Sequence, residues 1–494
     1  MKISLQSIKK LFTPGESLSK KTAQGTVWLF ALRIVSQLLG LAKTIFLARL
    51  LAPNDFGLFG ITVLSVSLLE TFSQSGFQDA LIQKKEDIAP YLDTGWIVQV
   101  ARGTILASIL FLLAPFIALF FRSPESEQIL KCVSLTVFIG GLTNIAVVYF
   151  SKELQFHKFF LYQISGTVAD FLVSVTLALV FHSVWALVFG LLAGTIVRFV
   201  ASYVVHPYLP RFNFSFSKAK ELFSYGKWIF SSNVIGFFIT QADSLLVAKI
   251  AGITSLGFYQ VAYKVPSVLG SEALAGAIFP AYSKIQHDIV KVKEVYLKIL
   301  KLFSFILMPI AGGIFIMAAE FITLFLGEKW MLSLWPMRIL SLAVLVLTIA
   351  ILSNYMFLAL GRPRVGTKWI FVRFLVIIIL MYPFMEWWGI LGAALVVLIG
   401  ALVSAIGFSV QAMRMLELGA GSFFKSTVAP FSNTIIMMGV VYGFKSAIVL
   451  NFWSFFLYII VGVMVYGALT YVTDKLFKNS MISLIQETMN LLIA

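Results

Sequence analysis

Long uninterrupted apolar segments restrict what this chain can fold into. Only 12% of its 494 residues are charged, against about 25% in a soluble domain. Fourteen apolar segments reach roughly the 20 residues that a helix needs to cross a bilayer. They lie at residues 25–50, 56–77, 94–121, 129–150, 159–181, 184–206, 222–249, 255–282, 297–319, 331–360, 365–385, 388–413, 426–447 and 451–473. Because the apolar residues do not alternate with polar ones, the segments predict helices and not a closed β-barrel. We therefore expect an all-α membrane protein with about fourteen transmembrane helices.

Basic residues in the connecting segments predict how these helices are oriented. Of the 38 lysines and arginines, 24 lie on the side of the N-terminus, six on the other side and eight within the apolar segments. Because basic loops stay in the cytoplasm, both termini are predicted to be cytoplasmic. Loops that face an anionic leaflet explain most of the net charge of +16, so no nucleic-acid partner is expected.

The sequence contains an internal repeat. LARLLAPNDFGLF at Leu47–Phe59 resembles VAKIAGITSLGFY at Val247–Tyr259, and ILKCVSL at Ile129–Leu135 resembles PMRILSL at Pro336–Leu342. Both pairs are about 200 residues apart. This spacing predicts that helices 1–6 correspond to helices 7–12, in two lobes related by a pseudo-twofold axis along the membrane normal. Chance similarity between apolar segments is the alternative.

The repeat predicts six parts of the chain. They are a basic cytoplasmic segment at 1–24, an N-lobe at 25–206, a cytoplasmic linker at 207–221, a C-lobe at 222–413, two additional helices at 414–473 and a cytoplasmic tail at 474–494.

Helix 1 carries a polar stripe that includes Arg33, Gln37 and Lys43. At about 100° per residue these side chains share one sector of the helix. A cation at mid-helix costs about 2.5–3.5 kcal/mol, so we interpret the stripe as the wall of a cavity that binds phosphate groups. Polar contact between helices is the alternative. The predicted cationic cavity comprises Arg33, Gln37, Lys43, Arg102, Lys227 and Lys264. Arg198, Arg338 and Arg373 lie nearer helix ends, where a side chain can extend toward water.

Four acidic residues within the apolar segments are candidates for coupling or gating: Glu70, Asp170, Asp243 and Glu272. The 200-residue offset aligns Asp243 with Lys43, which suggests that they pair in one conformational state and separate in another. Asp243 or Glu272 could instead carry a coupling H⁺ or Na⁺, or neutralise Lys227 or Lys264. The sequence contains no metal-ligand spacing, catalytic triad or P-loop, so we expect no cofactor and no enzyme activity.

Several further stretches carry a family resemblance: SGFQDALIQKKED, LDTGWIVQVARG, SKELQFHKF, LGEKWMLSLWPMRILSL and LALGRPR. Together with LARLLAPNDFGLFG they resemble the Wzx-type flippases of bacterial polysaccharide repeat units. These share a superfamily with MATE multidrug transporters and the lipid II flippase. The resemblance implies two six-helix lobes in a V shape around a cationic cavity. It also implies an undecaprenyl-pyrophosphate-linked oligosaccharide as cargo, moved from the cytoplasmic to the outer leaflet for O-antigen, capsule or exopolysaccharide synthesis. Membrane lipids, a polysaccharide polymerase and chain-length machinery are the partners it implies.

Two other functions are compatible with a polytopic membrane protein. A cation-coupled multidrug antiporter of the MATE type would bury more acids than bases, and here bases are in excess. A membrane-embedded glycan transferase needs catalytic carboxylates and usually a large outer loop, and no connecting segment here is long enough.

Overall fold

Helices are the only regular secondary structure in the described part of the protein. The computed structural model describes residues 18–73, 76–84, 86–270, 272–477, 481 and 483–484, and no β-strand occurs in these ranges. Only helices and closed barrels satisfy every backbone N–H and C=O in lipid, and continuous apolar segments favour helices. The predicted all-α fold class is thereby confirmed.

The helices before residue 251 are α1 (Leu18–Leu50), α2 (Pro53–Ser73), α3 (Phe77–Gln83), α4 (Ala89–Phe120), α5 (Ser126–Gly141), α6 (Val148–Lys152), α7 (Phe156–Phe181), α8 (Trp185–Val205) and α9 (Phe216–Ile250). Those that follow are α10 (Ile253–Lys264), α11 (Glu272–Ile285), α12 (Ile289–Phe321), α13 (Leu334–Ala359), α14 (Pro363–Met415), α15 (Ala420–Ala447) and α16 (Phe452–Phe477). Short 3₁₀ or π turns at Ile145–Val147, Pro266–Leu269, Ile322–Leu326 and Glu328–Ser333 connect some of them.

Ten helices in the described ranges are long and apolar enough to cross a membrane, or eleven if a bent pair is one span. The bent pair is Ser126–Gly141 with Ile145–Lys152, which meet at 69°. The predicted eighth span at 255–282 is not one helix. It is divided into α10, the turn at Pro266–Leu269 and α11, because Pro266 cannot donate a helical hydrogen bond. The count of fourteen spans therefore stays a prediction.

Two predicted spans lie within α14, which is broken at Gly389. This glycine has φ 55° and ψ −135°, a conformation that side-chain-bearing residues rarely adopt. A Cβ atom on Gly407 would lie 2.1 Å from the ring of Trp369, and one on Gly400 would lie 3.3 Å from Arg373 Cγ. Residues that precede the break thus pack in reverse order on residues that follow it. The two parts of α14 form an antiparallel hairpin, as the separate spans 365–385 and 388–413 predict.

The chain forms two compact units, Met1–Gly257 and Phe258–Ala494. The first unit extends beyond the predicted linker at 207–221, because α9 packs along α2, α3 and α4. The compact units and the sequence repeat thus divide the chain at different places. The predicted lobes stay a prediction.

Helix pairs in the first unit approach each other closely at glycines. A Cβ atom on Gly103 of α4 would lie 2.7 Å from the Cα of Gly141 on α5. Helices α1 and α7 run in the same direction, since Trp28 contacts Phe160 and, further along both helices, Phe46 contacts Phe171. Parallel α1 and α7 are what the predicted topology requires of its first and fifth spans.

The two copies of the repeated stretch meet inside the first unit. A Cβ atom on Gly57 would lie 1.9 Å from the carbonyl oxygen of Ile253, and one on Gly257 would lie 1.9 Å from that of Pro53. Residue 57 thus meets residue 253, while its counterpart 257 meets residue 53. Such an exchange is the mark of a twofold contact. Thr254 Oγ1 also lies 3.2 Å from Asn54 Oδ1, and these residues are themselves counterparts. The turns are therefore locally pseudosymmetric.

The second unit has two main apolar clusters. One surrounds Tyr282, Tyr296, Met356 and Phe408, from α11 to α14. The other joins α12, α15 and α16, with Tyr458 nearly completely buried. Helices 13 and 14 of the prediction, which are α15 and α16, are thereby packed on α12.

Candidate functional site

An ion pair between α1 and α7 lies in the interior of the first unit. Lys43 Nζ is 2.6 Å from Asp170 Oδ1, and the side chains are 14% and 26% exposed. Ser174 Oγ donates a second hydrogen bond to Asp170 Oδ1 over 3.2 Å. At 1.5 Å per residue, Lys43 is about 10 Å from the end of α1 at Leu50. A cation at this depth in an apolar helix is neutralised by the acid beside it.

This pair bears on the hypothesis that Lys43 pairs with Asp243. In this structure the ion-pair partner of Lys43 is Asp170, while the carboxylate of Asp243 accepts the backbone N–H of Ser244 over 2.7 Å. Pairing of Lys43 with Asp243 would therefore belong to another conformational state and stays a hypothesis.

A second charged cluster joins α2 and α4. The Arg102 guanidinium donates from Nε to Ser73 Oγ over 3.0 Å and from Nη2 to the carbonyl oxygen of Glu70 over 3.1 Å. The Glu70 carboxylate lies within electrostatic range of Arg102 and also of Arg198 on α8. One acid thus lies among two arginines from different helices.

Arg198 also belongs to this cluster, although the sequence had indicated only that it lies near a helix end. Its side-chain stem passes over Gly166 of α7, where a Cβ atom would lie 2.3 Å from Arg198 Cγ. The one sequence signal for this position of Arg198 was a glycine on α7 that leaves room for an arginine on α8. It can be recognised only once the two helices are known to form a hairpin.

The two clusters lie at different distances along their helices from a shared turn. Helices α1 and α2 are joined by the two-residue turn Leu51–Ala52. Lys43 is about 10 Å and Glu70 about 26 Å from the turn, at 1.5 Å per residue. The first unit therefore presents charge at two levels, about 15 Å apart.

The other predicted site residues are less clustered. Arg33 and Gln37 are half-buried on α1, and Asp243 is half-buried on α9. Lys264 is exposed at the end of α10 and belongs to the second unit. The side chains of Lys227 and Glu272 lie outside the described part of the structure. Of the ten predicted residues, the structure brings together Lys43 with Asp170, and Arg102 with Glu70.

The second unit has an ion pair of its own. Lys445 in the last turn of α15 pairs with Glu320 of α12, whose helical span continues as a π turn to Leu326, and both side chains are 14% exposed. Lys445 Nζ also donates to the carbonyl oxygen of Ile316 over 2.8 Å. Lys445 and Glu320 lie on different helices far apart in the sequence, so only the fold brings them together.

An apolar cavity of about 560 Å³ lies beside this pair in the second unit. Helices α12, α15 and α16 line it almost entirely with apolar side chains. Among its lining residues are Pro309, Ile310, Gly313, Met437 and Tyr466. Its shape and chemistry suit a flexible hydrocarbon chain. Sequence reasoning missed this cavity, because its lining is composed like any lipid-facing surface.

No group of three or more histidine, cysteine, aspartate or glutamate residues that could hold a metal ion occurs among the described residues.

Comparison with known proteins agrees with this arrangement. A family profile described as "Polysaccharide biosynthesis protein" matches residues 46–334. The lipopolysaccharide biosynthesis protein WzxC of Escherichia coli K12 is 26% identical over 367 residues, which cover 73% of this chain and 75% of that protein. The succinoglycan biosynthesis transport protein ExoT of Rhizobium meliloti is 24% identical, covering 61% and 62% of the two chains.

Solved structures show the same fold. The lipid II flippase MurJ in an inward closed conformation superposes with a TM-score of 0.75 at 17% identity, covering 91% of this chain and 99% of that one. An inward-facing MATE family multidrug transporter gives 0.63 at 15% identity, covering 78% and 95%. At such identities the likeness concerns the fold alone.

Proposed function

Since this chain belongs to the polysaccharide biosynthesis protein family, we propose that it is a flippase that carries a lipid-linked oligosaccharide across the membrane. Family membership confirms the resemblance to Wzx-type proteins. Relatives named for transport in lipopolysaccharide and succinoglycan biosynthesis support the proposal, as does the likeness to a lipid II flippase in fold. The proposed cargo is an undecaprenyl-pyrophosphate-linked repeat unit, moved from the cytoplasmic to the outer leaflet of the inner membrane by alternating access.

The observation that carries this proposal is the Lys43–Asp170 ion pair inside the first unit. A pyrophosphate presents the same kind of oxygen ligand as the Asp170 carboxylate, with more negative charge. It can therefore take the place of Asp170 on the lysine ammonium, which binds phosphate as a mobile point charge. The displaced carboxylate keeps the hydrogen bond from Ser174, which lowers the cost of releasing Lys43.

Coupling to an ion is part of the same proposal. A carboxylate that loses its cationic partner in a low-dielectric site favours its protonated form. Asp170 released from Lys43 would thus take up H⁺ or bind Na⁺, and would release it when the pair forms again. The cargo and the ion would then bind together at one pair of side chains and leave together.

The charge at two levels supports a stepwise passage. Arg102 and Arg198 would meet the headgroup at one level, and Lys43 would meet it about 15 Å away at the other, by the helical rise. A charged headgroup would thus meet a cation at each level. The apolar cavity of the second unit supports a lipid cargo, because it offers room for a segment of prenyl chain.

The meeting of the two repeated turns supports alternating access. The contact includes Gly57, Gly257 and a polar pair, Asn54 with Thr254, and Ile253 packs on an apolar cluster that contains Leu58. We assign this contact to the closed state of the outer face. Both termini would then be cytoplasmic, and a polymerase and chain-length machinery would receive the cargo outside.

Flipping by purified protein in liposomes tests the proposal. A fluorescent polyprenyl-pyrophosphate oligosaccharide should become accessible to a membrane-impermeant quencher faster with the protein than without it. Lys43→Ala and Arg102→Ala should slow this movement by about tenfold or more, as expected when an interaction of about 1.4 kcal/mol is lost.

Lys131→Ala is the matched control, because Lys131 pairs with Glu127 on the surface of α5. This variant should flip cargo normally. Movement of cationic drugs in place of the glycolipid would favour the MATE-type antiporter. Unchanged flipping by both site variants would refute the site.

A further inference from the structure

The segment between α8 and α9, residues 206–215, has no helical structure and is nevertheless held firmly on one side. The Tyr208 hydroxyl donates to the Asp93 carboxylate, and the backbone N–H of Arg211 donates to the same carboxylate over 3.0 Å. The backbone N–H of Ser215 donates to Thr94 Oγ1 over 3.2 Å. These contacts fix the segment on the first turns of α4.

The opposite side of the segment is aromatic and unusually exposed. Phe212 is 89% exposed, and Leu209, Phe214 and Phe216 are each more than half exposed. Phe212 packs edge-on against Trp96 of α4, with ring centroids 5.5 Å apart, and nevertheless leaves most of its surface exposed. Large apolar side chains clustered at a surface mark a contact with another apolar phase. We call Leu209, Phe212, Phe214 and Phe216 the aromatic edge.

Positive charge surrounds the aromatic edge. Arg211 and Lys220 are exposed, while Lys218 Nζ donates to the carbonyl oxygen of Pro90 over 2.7 Å. The acid nearest in sequence, Glu221, is taken up by Lys84 at 2.6 Å and by the Tyr91 hydroxyl at 3.0 Å. The hydrogen bond from Lys84 lowers the pKa of the Glu221 carboxyl. The free charge beside the aromatic edge is therefore positive.

We propose that the aromatic edge inserts into the headgroup region of the cytoplasmic leaflet, where Arg211 and Lys220 bind the phosphates of anionic lipids. The segment begins directly after α8, a helix apolar enough to cross the membrane, so its side chains lie near the bilayer surface. Aromatic rings favour this depth, and anionic lipids attract basic side chains there. The segment thereby anchors the start of α9 to the lipid surface. This role is independent of the cargo.

Spin-label accessibility tests insertion directly. In a Cys132→Ser background, which removes the one native cysteine, a label at Phe214→Cys reports the depth of the aromatic edge. A label at Glu153→Cys, on the exposed turn before α7, is the water-facing control. The expected result is that the label at 214 is accessible to oxygen and shielded from a water-soluble nickel reagent, while the label at 153 is open to nickel. Access of nickel at both positions would overturn the proposal. So would shielding of 214 from both reagents, which would indicate cover by a second copy or another protein.

The charge requirement is tested in phosphatidylcholine vesicles with and without phosphatidylglycerol. Phosphatidylglycerol should move the label at 214 deeper, and the double change Arg211→Gln with Lys220→Gln should abolish this shift. The double change Arg362→Gln with Arg364→Gln removes equal charge from an exposed turn in the second unit and should preserve the shift. Equal depth of the unaltered protein in both vesicles would overturn the anionic-lipid assignment, even if the double variant fails to fold.

Discussion

The two compact units place charge and apolar space differently. In the first unit an ion pair lies about 10 Å from the nearest helix end, and a second charged cluster includes Arg102 and Glu70. In the second unit the Lys445–Glu320 pair joins the last turn of α15 to α12, beside a cavity lined almost entirely by apolar groups. A glycolipid has a charged headgroup and a hydrocarbon tail. The charged groups of the first unit suit such a headgroup, and the apolar cavity of the second unit suits hydrocarbon.

The largest expected effect comes from breaking the interior pair. Lys43→Ala leaves the Asp170 carboxylate without its cation, which costs about 3–5 kcal/mol for a buried pair. Thermal unfolding in detergent should show this loss. Lys445→Ala breaks a pair of similar exposure in the second unit and is the matched control. Flipping per folded molecule should fall with Lys43→Ala only. An equal loss of flipping in both variants would show that the two ion pairs do not differ in function.

A smaller effect is expected at the contact between the two repeated turns of the first unit. Gly57→Ala places a methyl group 1.9 Å from the Ile253 carbonyl oxygen, and such overpacking costs about 1–3 kcal/mol. The closed contact should weaken, so cysteines introduced at Asn54 and Thr254 in a Cys132→Ser background should cross-link about tenfold more slowly, since about 1.4 kcal/mol is tenfold.

Gly236→Ala is the control for this change, because a Cβ atom there meets nothing within 4 Å. Cross-linking in this variant should be unchanged. If Gly57→Ala and Gly236→Ala cross-link at the same rate, the turns do not depend on close approach.

Filling the cavity tests the second unit. Gly313 lines the cavity and has open space at its Cβ position, so Gly313→Leu should fold and reduce the room for a prenyl chain. Long-chain cargo should flip about threefold to tenfold more slowly, as a loss of about 1 kcal/mol implies, while a short-chain analogue should be unaffected. Gly443→Leu, on α15 outside the cavity, is the control. An equal effect of Gly313→Leu on long-chain and short-chain cargo would show that the cavity does not bind the prenyl chain.

The smallest expected effect concerns the bond between Lys84 and Glu221. Because the folded-state pKa of Glu221 is lowered by the hydrogen bond from Lys84, its stabilisation is present above the usual value of 4.5 and is lost as the pH falls through the lowered value. Protection of the first turns of α9 from hydrogen exchange, measured relative to the unstructured chain at the same pH, should therefore fall in acid. Glu221→Gln should show the lower protection already at neutral pH, with little change in flipping. Protection that is independent of pH in the unaltered protein would contradict this account.

Sequence reasoning succeeded where one property sufficed. Continuous apolar segments determined the helical class, because lipid leaves a spanning backbone few alternatives. The stripe on helix 1 included Lys43, which is half-buried on α1, and its role as a cavity wall stays a prediction. The partner of Lys43 could not be found in this way, because Asp170 is 127 residues distant and helix order alone does not give neighbours. The 200-residue repeat indicated Asp243 instead.

Features that depend on packing were not predicted. Arg198 was assigned to a helix end because depth in a sequence is counted along one helix. Its place near Glu70 depends on the hairpin of α7 and α8. The cavity around Gly313 was missed because apolar residues that line a cavity and those that face lipid have the same composition. The aromatic edge was interpreted only as part of a linker, since exposure of Phe212 is a property of the fold.

The most direct test of the central claim is the rate at which a Lys43→Ala, Asp170→Ala double variant flips glycolipid in liposomes. Removing both charges eliminates the uncompensated carboxylate, so the double variant should unfold at a temperature near that of the unaltered protein. If Lys43 exists to meet the anionic headgroup, flipping should remain as slow as in Lys43→Ala alone. Recovery of the full rate in the double variant would show that the pair only stabilises the helices, and would contradict the account.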